Sequence, residues 1–250
     1  MLSKESHEPL YVQLQKSLRE YIEEHLQPGD MLPTEPEIEK TYQVSRMTVR
    51  KAIDSLVAEG LVVKQQGRGT FVQKQKITQD MESITSWTEE MRQKGKTPGT
   101  RGLEISEVRP SKKMIAEMGL DPDESIICIK RIRCADGEPI AIMINYLRAK
   151  FLPGFLERGL SNESLYSELE TTYGVKIERA DELIRAREAS ELEAFELEIP
   201  PDSAVLHITR HSMLSDGTPI ERVEMICRAD RYQYRISLYG RRKQRVIDFN

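Results

Sequence analysis

Arg131 and Arg133 stand two residues apart in the run Ile126 to Arg133, whose composition and alternation read as a β-strand. A period of two turns both guanidiniums to one face, where they form a fork suited to phosphate or carboxylate. Ser164 and Tyr166 fall at the start of a helix that Ser161 or Asn162 would cap, bringing hydroxyls close to free backbone N–H groups. Together these four side chains can cradle an anion. The arginines could equally pair with carboxylates such as Glu221 or Asp230, and the residues alone leave that alternative open.

A second group of residues suits a larger polyanion. Ser45 is a good N-cap, and the helix it opens carries Arg46 and Arg50 four apart on one exposed face, with Thr48 beside them. Its other stripe, Val49, Ile53, Leu56 and Val57, is apolar at helical spacing and needs a core. About a helix length later, Gly67-Arg68-Gly69-Thr70 lies between two apolar runs. Between Val44 and Lys76, Arg46, Arg50, Lys51, Lys64, Arg68, Lys74 and Lys76 face only Asp54 and Glu59. Cations gather where the phosphates of a duplex would run.

The elements that must position these groups follow from periodicity. Pro9 to Leu26 reads as a helix with Leu10, Leu14, Leu18 and Ile22 on one stripe, stopped by Pro28-Gly29-Asp30. A second helix begins at Thr34, which forms a T-x-x-E box with Glu37, and ends near Tyr42. The Ser45 helix then ends at Gly60, giving a helix-turn-helix. Leu61 to Val63 and Thr70 to Val72 read as a two-stranded wing whose glycines permit close backbone approach to a phosphate or a minor groove. Gln73 to Asp80 is polar and aperiodic, a linker candidate. Met81 to Gly95 is amphipathic around Ile84, Trp87 and Met91, with Trp87 expected as a packing anchor.

Beyond Thr100 the chain repeats itself. Glu104 to Ile140 resembles Glu182 to Ile220 at an offset of 79 to 80 residues: Ser111 matches Ser190, Pro122-Asp123 matches Pro201-Asp202, and Asp136-Gly137-x-Pro139-Ile140 matches Asp216-Gly217-x-Pro219-Ile220. Each copy reads helix, strand, turn, strand, with Asp-Gly hairpins joining 126–133 to 140–146 and 204–213 to 220–227. Two such units paired edge to edge predict an α+β domain, an antiparallel sheet with helices on one face, enclosing a pocket between the halves.

Composition narrows the class. With 250 residues the chain is long enough for a small module and a larger one with its own core. Its net charge of −4 means that DNA affinity must come from local clustering of cations. Cys128, Cys134 and Cys227 lack C-x-x-C spacing, and His7, His25, His207 and His211 form no metal box, so neither a disulfide framework nor a metal or other cofactor is expected. The first residues show no leader-like apolar run and no segment approaches spanning length, which predicts a cytoplasmic protein. No set of nucleophile, base and orienting residue is present, and no catalytic residue is expected.

The stretch from Pro9 to Val72 resembles the winged helix-turn-helix of GntR-family transcriptional regulators, through Leu32-Pro33-Thr34-Glu35, Ser45 to Arg50 and Gly67 to Val72. The resemblance implies that Arg46, Thr48 and Arg50 reach base edges or phosphates and that Gly67 lies at the wing tip, with Thr34, Arg68 and Gly69 completing the DNA-binding candidates. Pro36 stands where the family usually has an arginine, which removes one expected DNA contact. The region from about Pro98 to Tyr239 resembles the UTRA effector domain of the HutC subfamily, similar in fold to chorismate lyase, through Arg131 to Ala141, Asn145-Tyr146-Leu147, Ser164-Leu165-Tyr166, Asp216 to Glu221 and Arg228 to Tyr232.

That second likeness implies a small effector, often a phosphorylated sugar, held between the halves, and tips the arginine pair toward ligand binding. Ser86, Arg131, Arg133, Ser164, Tyr166 and Glu221 are the effector-binding candidates. Regulators of this type that sense amino-sugar phosphates commonly have an acid where Met143 stands and a tyrosine where Cys227 stands, so the ligand's carbon skeleton is left open; both residues could also be core. The expected division is a winged helix over 1–73, a linker over 74–97 and an effector domain over 98–250. The expected function is a homodimeric repressor on a pseudo-palindromic DNA operator, controlled by a small anionic metabolite. The alternative is a chorismate-lyase-like enzyme fused to a DNA-binding module, with Arg131, Arg133 and Glu221 as its centre.

Overall fold

In the computed structural model, residues 8–74, 76–81 and 83–238 are described. His7 and the expected domain ends, residues 1–7 and 239–250, lie outside them. The chain forms two compact units that divide between positions 75 and 76.

The first unit is three helices and a hairpin. Helix α1 (Leu10–His25) buries Leu14, Leu18 and Ile22, α2 (Glu35–Tyr42) buries Ile38, and α3 (Arg46–Ala58) buries Val49, Ala52, Ile53 and Leu56. These stripes share one core with Leu32, Leu61, Val62 and Val72, each large side chain stabilising the unit by roughly 1.5–3 kcal/mol. The caps act as expected: the Glu37 carboxylate accepts from the backbone N–H and hydroxyl of Thr34 at 2.7 Å each, and the Ser45 hydroxyl accepts from the Thr48 N–H. Between α2 and α3 the chain turns through Gln43, held at a φ of 52°. Strands β1 (Val62–Gln65) and β2 (Gly69–Val72) pair antiparallel as the wing.

The second unit opens with β3 (Ile77–Asp80) and α4 (Trp87–Gln93), so most of the segment expected as a linker is folded. Strand β3 pairs in parallel with β10 (Tyr232–Arg235), more than 150 residues away, and buries Ile77 and Gln79. Alternating burial, not hydrophobicity, makes this strand, which is why its polar sequence reads as a connection.

The remaining strands, β4 (Pro98–Val108), β5 (Ile126–Ala135), β6 (Glu138–Arg148), β7 (Arg179–Glu188), β8 (Ala204–Met213) and β9 (Pro219–Arg228), form one antiparallel sheet in the order β4-β5-β6-β9-β8-β7. The two halves of the repeat meet where β6 pairs β9, and each half begins with an extra, polar edge strand, β4 or β7. The first hairpin turns on Asp136 and Gly137, both at positive φ (52° and 80°).

Helices cover both faces rather than the one expected. Strands β5, β6 and β9 are buried on both sides, so each face needs cover. Helices α5 (Lys112–Met118) and α8 (Glu191–Leu197) pack on one face through Met118 and Leu197. On the other, α4 contributes Trp87 and Met91, while α6 (Phe155–Arg158) and α7 (Leu165–Tyr173) contribute Phe155, Leu165 and Leu169. No helix among the described residues is long and apolar enough to cross a membrane.

Candidate functional sites

Strand register places one sheet face under α4 and α7. Arg131 lies beside Met143, Met143 beside Met225 and Met225 beside Ile208; the next row runs Ile129, Asn145, Val223, Arg210 and Glu182. Above these rows is a pocket, partly open to solvent, lined by Ser86, Thr88, Glu90, Arg131, Arg133, Tyr166 and neighbouring side chains that include Asn145, Arg210 and Tyr232.

Arg131 and Arg133 are 3% and 1% exposed, yet neither makes an ion pair among the described residues. Arg131 donates to Asn145 Oδ1 at 2.9 Å, and Arg133 donates to Thr88 Oγ1 at 2.9 Å and to Thr100. Both Nε groups are buried without a hydrogen-bond partner. Burial pulls Arg131 down to about 10 and, with the adjoining charge of Arg131, Arg133 down to about 9. Two desolvated cations with spare donors are costly unless an anion completes them. Asp230 pairs with Arg228 instead, and Glu221 reaches Arg131 only through Asn145.

The other candidates divide by distance from the cavity. Ser86 caps α4 and Ser164 itself caps α7, so the expected caps at Ser161 and Asn162 are displaced; those residues bond Glu168 instead. The two capping hydroxyls lie 3.1 Å apart and tie the helix starts together. Tyr166 lines the cavity and donates to Glu221 at 2.9 Å. Glu221 stands behind the lining, accepting also from Asn145 at 2.7 Å and Ser212 at 2.8 Å, and so holds the wall in place. Met143 lines the cavity, whereas Cys227 is buried in the core and its thiol is raised by burial. Trp87 does both jobs: it stacks on Tyr232 with centroids 5.9 Å apart and borders the cavity.

Sequence reading missed Arg210 and Glu90. The repeat contained a signal for the first, since the 79-residue offset carries Arg131 onto Arg210, which is locked to Glu182 and donates to the Tyr166 oxygen. Nothing local marks Glu90. Its carboxylate lies 3.0 and 3.1 Å from the Tyr232 hydroxyl, and burial pushes it up to about 7 against the opposing effect of that bond.

In the first unit, Arg46 and Arg50 project from the start of α3, 64% and 48% exposed, and both Nε groups meet one oxygen of Glu35 at 3.3 and 3.0 Å. Burial alone would raise Glu35, but the two guanidiniums hold it below the usual carboxylate range. Thr48 is half-buried with its hydroxyl 2.9 Å from that of Ser45, and Thr34 is engaged by Glu37. Gly67 lies at the wing tip at a φ of 71° with open space around it. Gly69, at 126°, faces Met31, whose sulfur a Cβ would meet at 3.0 Å. Arg68 is exposed and its guanidinium lies 5.9 Å from the Phe71 ring. A groove lined by Thr34, Glu35, Lys64 and residues 65–70 runs between the start of α2 and the wing.

Comparisons with known proteins match both units. Residues 10–72 match the model of bacterial regulatory proteins of the gntR family, and residues 93–233 match the UTRA domain. The chain is 35% identical over 234 residues to the HTH-type transcriptional repressor NagR of Bacillus subtilis, covering 93% of this chain and 96% of that one. It is 28% identical to the probable fructoselysine utilization operon transcriptional repressor of Escherichia coli, over 90% of this chain and 93% of the relative. The crystal structure of PhnF from Mycobacterium smegmatis shares the fold, with a TM-score of 0.75 at 24% identity over 91% of this chain and all of that one. Its relatives are regulators rather than enzymes. Since both matches together span most of the chain, the chain belongs to the GntR family of DNA-binding transcriptional regulators, in the HutC subfamily.

Proposed function

We propose that this regulator is a homodimeric repressor, acting in the cytoplasm, whose grip on a pseudo-palindromic operator is controlled by a small phosphate-bearing metabolite bound beneath α4 and α7. The observation that carries the reading is the pair of buried guanidiniums, Arg131 and Arg133, which face a cavity with unsatisfied donors and no carboxylate partner. Arg131, Arg133, Ser86 and Thr88 would receive the anion. Tyr166 orients its remainder, and Glu221 and Ser164 hold the wall. Two further points support the reading: NagR of Bacillus subtilis is a transcriptional repressor and the Escherichia coli relative a probable one, which favours repression, and two-fold proteins suit palindromic half-sites near one helical turn apart, which favours a dimer.

In the first unit Arg46 and Arg50 enter the major groove, Thr48 supports them, and Gly67, Arg68 and Gly69 approach the minor groove with Thr34 at the neighbouring backbone. Calorimetry with inorganic phosphate on wild type and Arg131→Ala, paired with gel-shift titration, tests the reading. Wild type binds and the variant does not. Phosphate affinity that survives Arg131→Ala, or operator affinity unmoved by any ligand that saturates the cavity, sinks it.

A further inference from the structure

The outward face of α3 carries one side chain that DNA phosphates do not explain. Val49, Ala52, Ile53 and Leu56 form the buried stripe of this helix, and a repeat of about 3.6 residues per turn sets Met47 directly across the helix from them. Met47 is 74% exposed, more than any other large apolar side chain among the described residues of the first unit. Of the other two that are exposed there, Met31 lies against Gly69 and Val63 belongs to the wing.

The polar neighbours of Met47 on that face are drawn to partners elsewhere in the unit. Arg46 and Arg50 meet Glu35 of α2, the Lys51 ammonium sits 4.0 Å from the centroid of the Tyr11 ring on α1, and Asp54 accepts from Lys64 of β1 at 2.6 Å. The crest of the helix is therefore a thioether with cations to either side.

Packing within the unit gives no reason for it. A lysine, glutamine or glutamate would support the helix about as well as methionine and be better solvated. An apolar crest is a gain only where something covers it, and a helix lying in a major groove presses its first turn against base edges. The apolar group that this groove offers is the C5-methyl of thymine; the other edge groups are hydrogen-bond donors and acceptors, which a thioether pairs poorly.

We propose that Met47 is a base-reading residue, its thioether packing on the C5-methyl of one thymine in each half-site. The inference rests on the major-groove placement of α3 proposed above and adds a determinant that the arginines, suited to guanine and phosphate, do not supply. Because the contact carries no charge, its loss costs the same at low and high salt, unlike the loss of an arginine.

The test uses the full chain and a random pool of duplexes, from which wild type enriches its own site by repeated selection. In the enriched duplex each thymine is replaced in turn by deoxyuridine, which keeps the Watson–Crick pair and the minor-groove edge and removes only the methyl. At one position of a half-site the replacement is expected to weaken wild type about fourfold, the worth of one methyl group taken out of water. Met47→Ala, an exposed change to the best helix former, is expected to lose at least as much on the thymine duplex and to bind the deoxyuridine duplex equally, with the salt slope and thermal unfolding of wild type. Wild type indifferent to every such replacement, or a methyl effect that survives Met47→Ala, overturns the proposal while the groove placement stands. Enrichment of no sequence by wild type overturns the groove placement, and this proposal with it.

Discussion

Arg46 and Arg50 share one oxygen of Glu35, which means that the helix face proposed to meet DNA already holds a competing anion. An incoming phosphate or guanine edge must displace it. Removing the charge is therefore expected to help non-specific binding: Glu35→Gln gains roughly fivefold on random duplex at low salt, a gain that fades as salt screens it. Fluorescence anisotropy against salt measures this, and an unchanged or weaker affinity would show that Glu35 orients the arginines more than it occupies them. For Arg46 the question is which partner it reads. A bidentate contact to guanine makes Arg46→Ala cost roughly 1–3 kcal/mol on the operator and little on random DNA. Equal losses on both, with a shallower salt slope, would assign it to phosphate instead. The residue types of both sites were legible, because Arg46, Arg50, Arg131 and Arg133 announce themselves by spacing. Their partners were not: Glu35, Asn145 and Thr88 reach them only across the fold.

Among the elements, helices with caps and apolar stripes could be read within a residue or two, as could both Asp-Gly hairpins, since their signals are local. The pairing of β3 with β10 could not, because neither strand has enough apolar residues to declare itself and the partners lie some 155 positions apart. Helix cover on two faces was hidden for a related reason: β6 runs from Ile140 to Ile144 without a polar residue, which shows burial without showing its direction, and the arginines of β5 are buried although their type suggests an exposed face. One tie between elements lends itself to measurement. Glu124, just before β5, accepts from Nε and one terminal nitrogen of the Arg148 guanidinium at the far end of β6, at 2.6 and 2.7 Å, with both side chains under 10% exposed. The Arg148 hydrogen bond, against some opposition from burial, brings Glu124 from 4.5 down to about 2. A carboxyl depressed in the folded state adds stability that is present above its unfolded value and lost as pH falls through the folded one. Glu124→Gln is therefore expected to cost up to about 3 kcal/mol above pH 5, and the difference from wild type closes between pH 5 and pH 2. Denaturant melts across that window measure it; a gap that persists at pH 2 would mean that packing, not charge, holds the hairpin.

At the scale of the molecule, the proposed control requires that ligand in a cavity of the second unit change what the first unit does. Gln79 and Tyr232 offer a physical beginning, for they bind the carboxylate that lines the cavity, and Gln79 lies on the first strand after the division between the units. Whatever the path, a ligand can weaken DNA binding only by as much as it prefers the DNA-free arrangement, and a hundredfold release requires about 2.7 kcal/mol of such preference. Linkage then makes a demand that needs no knowledge of the path. If inorganic phosphate lowers operator affinity by some factor, operator DNA must lower phosphate affinity by that same factor. Calorimetric titration of phosphate into free protein and into the protein–operator complex, at matched ionic strength set with chloride, gives the two constants. Equal constants for the cavity site alongside a phosphate-dependent gel shift would show that the shift arises elsewhere, from weaker phosphate binding that competes with the DNA backbone for Arg46, Arg50 and Arg68. Unequal constants that agree with the shift in operator affinity, together with a phosphate-dependent gel shift that disappears in Arg131→Ala, locate the control beneath α4.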